Sequence, residues 1–385
     1  MSVGLDVGGY ELKKVLVLAY GNRIRPSLRY RIVYPLDILV KKKRLAYRLI
    51  SVYSLRTERI LNSNDTILKI LTVLFDVVCF LFKIVSTSLY SYDVIIIKNF
   101  IFPLGDDFTE KLMLILLRNK AVIYDLDDAE YLNPSRSQNA KFARFRQMNK
   151  KVAFWVHRAD RVILSNSIIK NDLEQLYGLE DKKTITFLTV PFAYQYFSKQ
   201  EDIYEIKKEN IGTPGVIWLG SPHTQEELVV FSDVIKKIIT EIKNVKIYIL
   251  GTSKEWNGIK ANEHIKFITW NDENEKKYMR KSMFGLNPLR NDSFQKRKSA
   301  FKVIQYYRAG IFPIVSDVGI NKSLVEKYGG FCVSNDQVLD EMIVCMKGVI
   351  LLKKKEFMKR IEKTSKLTIE YDSVAKWWGQ IDEMK

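Results

Sequence analysis

Apolar and polar positions fall in blocks along this chain that predict strand, turn and helix in repeating order. Residues 14–20, KVLVLAY, form an apolar run of strand length that Gly21 closes. Residues 92–97 and 121–126 repeat that pattern, with helical spacing over 106–118 between them. The stretch after Gly21, GNRIRPSLRYRIVYPLDIL, reads as a loop. Helix is expected over 142–158, strand over 161–164, and helix over SNSIIKNDLEQLYG. The first half ends near 184–191, and a looser stretch to Thr213 reads as a hinge. The alternation then resumes. Strands are expected at 216–219, 245–250, 265–268 and 284–289, and helices at 224–241, 272–282 and 371–385. Two such series predict an α/β protein of two Rossmann-like domains facing a cleft.

The stretch LNPLRNDSFQKRKSAFKVIQYYRAGIFPIVSDVGIN, residues 286–321, carries the most chemistry. Ser299 reads as an N-cap, and Gly310 sits where a helix end favours glycine. Phe301, Ile304 and Ala309 fall on or near one side, and Lys298, Lys302 and Gln305 share another. An apolar strand, IFPIVS, and a second turn into a helix follow. Two lysines in the first turns of a helix, beside outward N–H groups, suit an anion. Cations are disfavoured at that helix end, so a negative group is expected to offset them. The plain alternative is a solvated lysine face.

These same residues carry a resemblance. Lys298-Ser-Ala-Phe-Lys302-Val-Ile-Gln305-Tyr, Ala309-Gly310 and Ser316-Asp-Val-Gly319-Ile-Asn321 resemble the donor-site segment of bacterial glycosyltransferase family 4. The similar branch reads roughly GK-x-x-FKLLQYMA-x-G-x-P-V-x-AS-x-VG-x-N. Arg29-Tyr-Arg31 resembles its SxRYR segment, and Asp125-Leu-Asp127-Asp128-Ala its DxDDA element. WLGSPHT and ITWNDEN also match, so the likeness runs from about residue 15 to about residue 375. Departures are visible: where many members carry paired glutamates this chain has Arg297 and Gln305, and Ser323 stands where a glutamate is common.

The resemblance implies a GT-B fold and retaining sugar transfer from a nucleotide-sugar donor. It implies an acceptor-binding domain over 1–198, a donor-binding domain over 199–365, and a helix over 366–385 crossing back to the first domain. Gly220, Ser221, Lys298, Lys302, Gln305, Gly319 and Asn321 are then the expected donor contacts. Lys302 is expected to stabilise charge on the departing diphosphate, with Asp127 or Asp128 orienting the acceptor hydroxyl. Arg29, Arg31 and Asp125 are expected to contact acceptor or phosphate. No metal or other cofactor is expected. Read from the residues alone, the three carboxylates at one strand end also suit magnesium, or a capped turn. Gly220 also suits a plain tight turn.

Composition narrows the partners. The chain has 385 residues, 47% of them hydrophobic, which is ample for two cores. Its formal charge is +18, from 62 Lys and Arg against 44 Asp and Glu. Such a balance fits nucleic acid, anionic lipid or phosphorylated substrates. The cations are dispersed and no nucleic-acid motif is present, so nucleic acid is not the expected partner. Lys41, Lys42, Lys43 and Arg44 form a compact basic run, and 142–158 is a second cationic stretch. Both fit a first domain resting on an anionic membrane. Cys79, Cys332 and Cys345 lack metal spacing and read as reduced core residues. His157, His223 and His264 are too scattered to suggest zinc.

No signal peptide is evident in the first fourteen residues. In the apolar run 67–90, Lys69, Asp76 and Lys83 recur at seven-residue intervals. Three charges make spanning costly, so an amphipathic or buried helix is expected, with a membrane-surface role open. The resulting expectation is a cytoplasmic enzyme, peripheral on the inner face of the cell membrane. It would act on a lipid-linked or saccharide acceptor in bacterial surface-polysaccharide assembly. The alternatives are a catalytically silent scaffold of the same fold and a nucleic-acid-binding protein.

Overall fold

The computed structural model describes residues 12–60, 65–88, 90–102, 105–116, 120–132, 147–186, 196–197, 202–251, 259–334, 338–370 and 373–384. Much of the expected hinge, and residues 142–146 of the expected basic helix, lie outside the described residues. The chain forms two compact units. The first comprises Met1–Ala193, Arg297–Ser299 and Tyr371–Lys385; the second comprises Tyr194–Lys296 and Ala300–Glu370. The sequence boundary at 198/199 thus compares with a division at Ala193 and Tyr194, because Tyr196 and Phe197 belong to the second unit's core.

The first unit is built on strands β1 Lys13–Ala19, β2 Leu45–Ser51, β3 Val94–Lys98, β4 Ala121–Leu126, β5 Arg161–Leu164 and β6 Thr184–Thr186. They pair in the order β2-β1-β3-β4-β5-β6, every pair parallel. Every residue of β3, VIIIK, is buried, as a parallel strand covered on both faces requires. The chain enters at β1, steps out to β2, then crosses back to β3, so the order reverses between β1 and β3. At such a switch point the crevice at the carboxyl ends of the strands is open to a ligand.

The stretch after Gly21 is not a loop. It holds a π-helical turn, Arg29–Val33, and helix α1, Tyr34–Lys41, before β2. Ile32, Leu36 and Leu39 recur at helical spacing and are all buried, and Pro35 occupies the first turn. Longer helices of this unit include α2 Thr66–Ser88, α3 Phe108–Leu116, α4 Met148–Arg158 and α5 Ser167–Tyr177. In α5, Asn166 accepts from Ile169 N at 3.0 Å and Gly178 ends the helix with φ +64°. In α4, Lys151 turns inward and donates to Phe102 O, so this helix presents fewer cations than its sequence suggests.

The second unit repeats the plan with β7 Gly215–Leu219, β8 Lys246–Leu250, β9 Ile265–Ile268, β10 Ser282–Asn287, β11 Phe312–Ser316 and β12 Phe331–Val333. Their order is β12-β11-β10-β7-β8-β9, all parallel, with the reversal between β7 and β10. Its longer helices include α6 Ser232–Glu241, α7 Asp272–Lys281, α8 Phe301–Arg308, α9 Asn321–Tyr328, α10 Leu339–Ile350 and α11 Lys354–Glu370. The helix expected over 224–241 is split, since a 3-10 segment, Pro222–Phe231, precedes α6. Cys79, Cys332 and Cys345 are free thiols and only half-buried, so they are not core residues.

Helix α12, Ser373–Asp382, belongs to the first unit and packs on α1. Trp377 and Ile381 are fully buried in a cluster with Val15, Val17, Leu36 and Val94. The Trp377 indole donates from Nε1 to Arg31 O at 2.7 Å. Its neighbour Trp378 is half-buried under the Arg44 guanidinium, 5.5 Å from the ring centre. Trp377→Ala is therefore expected to destabilise the first unit by about 3–5 kcal/mol in urea unfolding, with Trp378→Ala costing far less. Equal losses for the two variants would show that α12 contributes no core to that unit.

Candidate active site

In the first unit the carboxyl ends of β3 and β4 meet at a buried charge cluster. β4 delivers Asp125, with Asp127 and Asp128 just beyond it, and β3 ends on Lys98. Asp125 Oδ2 lies 2.6 Å from Arg31 Nε, and its Oδ1 lies 2.8 Å from Lys98 Nζ. Lys98 Nζ also lies 2.6 Å from Asp127 Oδ1 and donates to Asn99 Oδ1 at 3.0 Å. Two cations thus face two carboxylates. Ser165 Oγ, after β5, donates to Asp127 O at 2.6 Å. Burial alone would push the Asp127 carboxyl up, but Lys98 and Arg31 hold it below its ordinary value.

Asp128 lies outside that pairing. It is half-buried, and burial together with the charge of Asp127 pushes its carboxyl up to about 7, against a pull downward from Lys298. That value lets the Asp128 carboxyl exchange a proton near neutrality. Neither arginine of the RYR segment lies on the surface. Arg31 is 1% exposed and bound to Asp125, while Arg29 is buried against the Tyr30 ring and donates to Ile24 O at 3.3 Å.

The segment Arg297–Ser299 also belongs to this unit. Arg297 forms a two-pronged ion pair with Asp172, which also accepts from the Tyr131 hydroxyl. Asn166 Nδ2 donates to Arg297 O at 2.8 Å. Lys298 is not in a helical turn: α8 starts at Phe301, and its N-cap is Ala300 rather than Ser299. Ala300 is buried with φ +51°, a left-handed turn that ends any continuous stripe from Lys298 to Lys302. Lys298 and Lys302 belong to different units.

In the second unit the predicted residues gather at the switch point. Gly220 and Ser221 follow β7, and Ser221 N donates to Thr224 Oγ1 at 3.0 Å. Gly220 has no room for a side chain: a Cβ would meet the Trp218 ring at 2.1 Å. Lys302, in the first turn of α8, places Nζ 5.0 Å from the Trp218 ring centre and 3.8 Å from Glu227 Oε2. Glu227 is fully buried and accepts from Gln295 Nε2 at 2.9 Å. The negative group expected beside the lysine is thus supplied in part by the protein itself. Next to β10, Asn287 Nδ2 donates to Asn321 Oδ1 at 3.2 Å, and Asn321 opens α9. Gly319 has φ +61°, and a Cβ there would lie 2.5 Å from Lys296 O.

Gln305 is placed differently from the sequence stripe. It is buried, and its amide donates to Tyr196 Oη at 3.3 Å and Glu275 Oε1 at 3.2 Å. Sequence reasoning missed Lys98, Trp218, Glu227 and Glu275. Lys98 had a readable signal, a lysine closing an otherwise apolar strand. Glu227 had none, because HTQEEL reads like any solvated helix start.

No protein-family model matches the chain, and no curated protein matches it. Solved structures do. A glycosyltransferase from Rickettsia africae superposes with a TM-score of 0.62 at 11% identity, over 98% of this chain and 100% of that one. Anabaena HepE, solved with UDP and glucose, gives 0.59 at 12%, over 96% and 98%. WaaG, a glycosyltransferase involved in lipopolysaccharide biosynthesis, gives 0.59 at 10%, over 96% and 100%. The fold is GT-B. Within the GT-B fold a residue's role follows from its site rather than from the architecture.

The raised Asp128 carboxyl has a pH consequence with a definite sign. Its folded value, about 7, lies above the unfolded 3.8, so the native state binds the extra proton between them. The contribution of Asp128 to stability should therefore fall as pH rises from about 4 to about 7 and stay level above that. Asp128→Asn should remove this slope. The variant should exceed wild type by on the order of 1–2 kcal/mol at about pH 8 and match it near pH 4, since one pKa unit is about 1.4 kcal/mol and part of the group reaches solvent. Parallel urea-stability curves for the two proteins across pH would contradict a strained Asp128.

Proposed function

We propose that this protein is a retaining glycosyltransferase that moves a hexosyl group from a nucleotide-sugar donor to a lipid-linked or saccharide acceptor. The observation that carries the reading is the gathering of Gly220, Lys302 over Trp218, and the Asn287–Asn321 pair at the second unit's switch point. The likeness to HepE, solved with UDP and glucose, supports a donor of that chemical class. The likeness to WaaG supports a place in bacterial surface-polysaccharide assembly. We place the enzyme at the inner face of the cell membrane. No helix among the described residues is long and apolar enough to cross one.

In this mechanism the Lys302 ammonium exchanges part of its attraction to Glu227 for the donor diphosphate, while Ser221 and Gly319 complete the donor contacts and Gln305, held by Tyr196 and Glu275, supports the helix that carries Lys302. The bond from the sugar carbon to the phosphate oxygen breaks as the acceptor oxygen attacks from the same face. The acceptor proton passes to the departing phosphate oxygen, so neither a metal nor a protein base is required. Asp128 orients the acceptor hydroxyl. Asp127 and Asp125, with Arg31 and Arg29, hold the surrounding frame or a phosphate of the acceptor.

Arg297 and Gln305, which occupy the positions of the family's paired glutamates, are both engaged with protein partners. That observation favours a silent scaffold as the second reading. Nucleotide binding without nucleotide release, for every donor sugar tried, would select it.

The deciding variant is Lys302→Met, which keeps the stem over Trp218 and removes the charge. Transfer at saturating donor should fall about 10²–10³-fold, because the lost interaction strengthens as charge develops. Donor affinity should fall less, and Lys302→Arg should restore little, since a planar fork replaces a compact ammonium. Wild-type turnover in Lys302→Met, with an unchanged melting curve, would remove Lys302 from the chemistry. Activity should also persist in chelator, and restoration by added magnesium after a loss there would overturn the metal-free mechanism.

A further inference from the structure

Helix α2 presents its apolar side outward. Asp76, Phe80, Ile84 and Thr87 form its buried side, and the Asp76 carboxylate accepts from Ser54 N at 2.6 Å. On the opposite side Ile70, Leu71, Leu74, Phe75, Val78 and Phe82 form one continuous exposed stripe, with Phe75 68% and Phe82 73% exposed. Soluble surfaces rarely carry an unbroken apolar patch of this length. A helix of 23 residues is about 34 Å long.

A second helix on the same face of the sheet also exposes apolar residues. The crossovers β2 to β3 and β3 to β4 run the same way across the sheet. Right-handed connections therefore put α2 and α3 on one face of it. On α3, Phe108, Leu112 and Ile115 are exposed at helical spacing. The charges are sorted as well. Asp76 of α2 and Glu110 of α3 both point inward, while Lys83 and Lys111 are exposed. The remaining acids, Asp65, Asp106 and Asp107, stand at the helix starts, where Asp107 pairs with Lys111 and the others accept backbone N–H groups. Because α2 runs against the strands, its Lys83 end returns to the sheet edge where exposed Lys41, Lys42 and Lys43 precede β2.

We propose that α2, with α3 on the same face of the sheet, is the surface on which this protein lies in the interface of an anionic bilayer, its phenylalanines entering the boundary of the acyl chains. Charge selects this occupant over a second copy. A chain of formal charge +18 repels its own kind and is drawn to anionic lipid. Helices with a lysine-edged polar side and a Phe/Leu-rich side seat at that depth without spanning. The inference stands apart from the glycosyltransferase reading: vesicle binding by a protein that binds no nucleotide would refute that reading and leave this one intact.

The test is sedimentation of the full chain with vesicles of phosphatidylglycerol and phosphatidylcholine, and with phosphatidylcholine alone. Wild type should bind the anionic vesicles more strongly, and a fraction should stay bound at high salt, where a purely electrostatic contact is lost. Phe75→Ser/Phe82→Ser should weaken binding about tenfold or more and abolish the salt-resistant fraction, with the melting temperature unchanged. Leu74→Ser/Val78→Ser should reproduce that loss. Lys41→Gln/Lys42→Gln/Lys43→Gln should lower only the salt-sensitive part. Wild-type vesicle binding by both serine pairs would overturn the proposal. So would a wild-type dimer that the serine pairs merely dissociate.

Discussion

Two carboxylates at the end of a buried strand are the constraint around which the first unit is arranged. Asp125 is fully buried and Asp127 nearly so. Removing such groups from water costs several kcal/mol each unless cations reach them with good geometry. Lys98 arrives from the adjacent strand and touches both. Arg31 arrives from the π-helical turn, and the Trp377 indole fixes the carbonyl of that same arginine. The C-terminal helix therefore supports the cluster through one hydrogen bond and a packed face. Asp128, outside those ion pairs, has a carboxyl that burial and the charge of Asp127 push up to about 7. Two of the three acids are thus neutralised within the protein, and the third is left perturbed.

The second unit solves a different problem, the close approach of backbone to backbone at its switch point. Gly251 has φ +113°, and a Cβ there would lie 1.7 Å from Gly220 O, so neither glycine position tolerates enlargement. Gly285 on β10 is pressed against the Tyr306 ring, whose hydroxyl donates to Leu286 O at 2.9 Å. These contacts fix the carboxyl ends of β7 and β10, and with them the turn that carries Ser221 and the helix that carries Lys302. The lysine that lies over Trp218 has the buried carboxylate of Glu227 beside it.

Much of the architecture was legible because fully apolar strands separated by helical spacing leave few alternatives. The parallel order in both units follows from that alternation. β2 was missed because LAYRLIS mixes polar with apolar residues on a strand at the sheet edge, with only Leu45 and Ile50 buried. The helix after Gly21 was missed because proline and four arginines mask the spacing of Ile32, Leu36 and Leu39. At the candidate site, residue types on strand ends read correctly as a concentration of charge. Pairing did not, because Arg31–Asp125 and Lys302–Glu227 join residues far apart in sequence. The supposed stripe through Lys298, Lys302 and Gln305 failed at Ala300, where a left-handed residue resets the helical phase. Gln305 then turned inward, to Glu275.

A nucleotide-sugar held by the second unit, as proposed, would raise the thermal stability of the protein. The most direct measurement is the melting temperature of the intact chain across a panel of nucleoside diphosphates and nucleotide sugars. A ligand at about a hundred times its dissociation constant should stabilise the protein by about 2.7 kcal/mol. Such a rise is expected for at least one diphosphate and its sugar conjugate, and a much smaller one for the matching nucleoside. Unchanged melting across the whole panel, or an equal rise with inorganic phosphate alone, would contradict it.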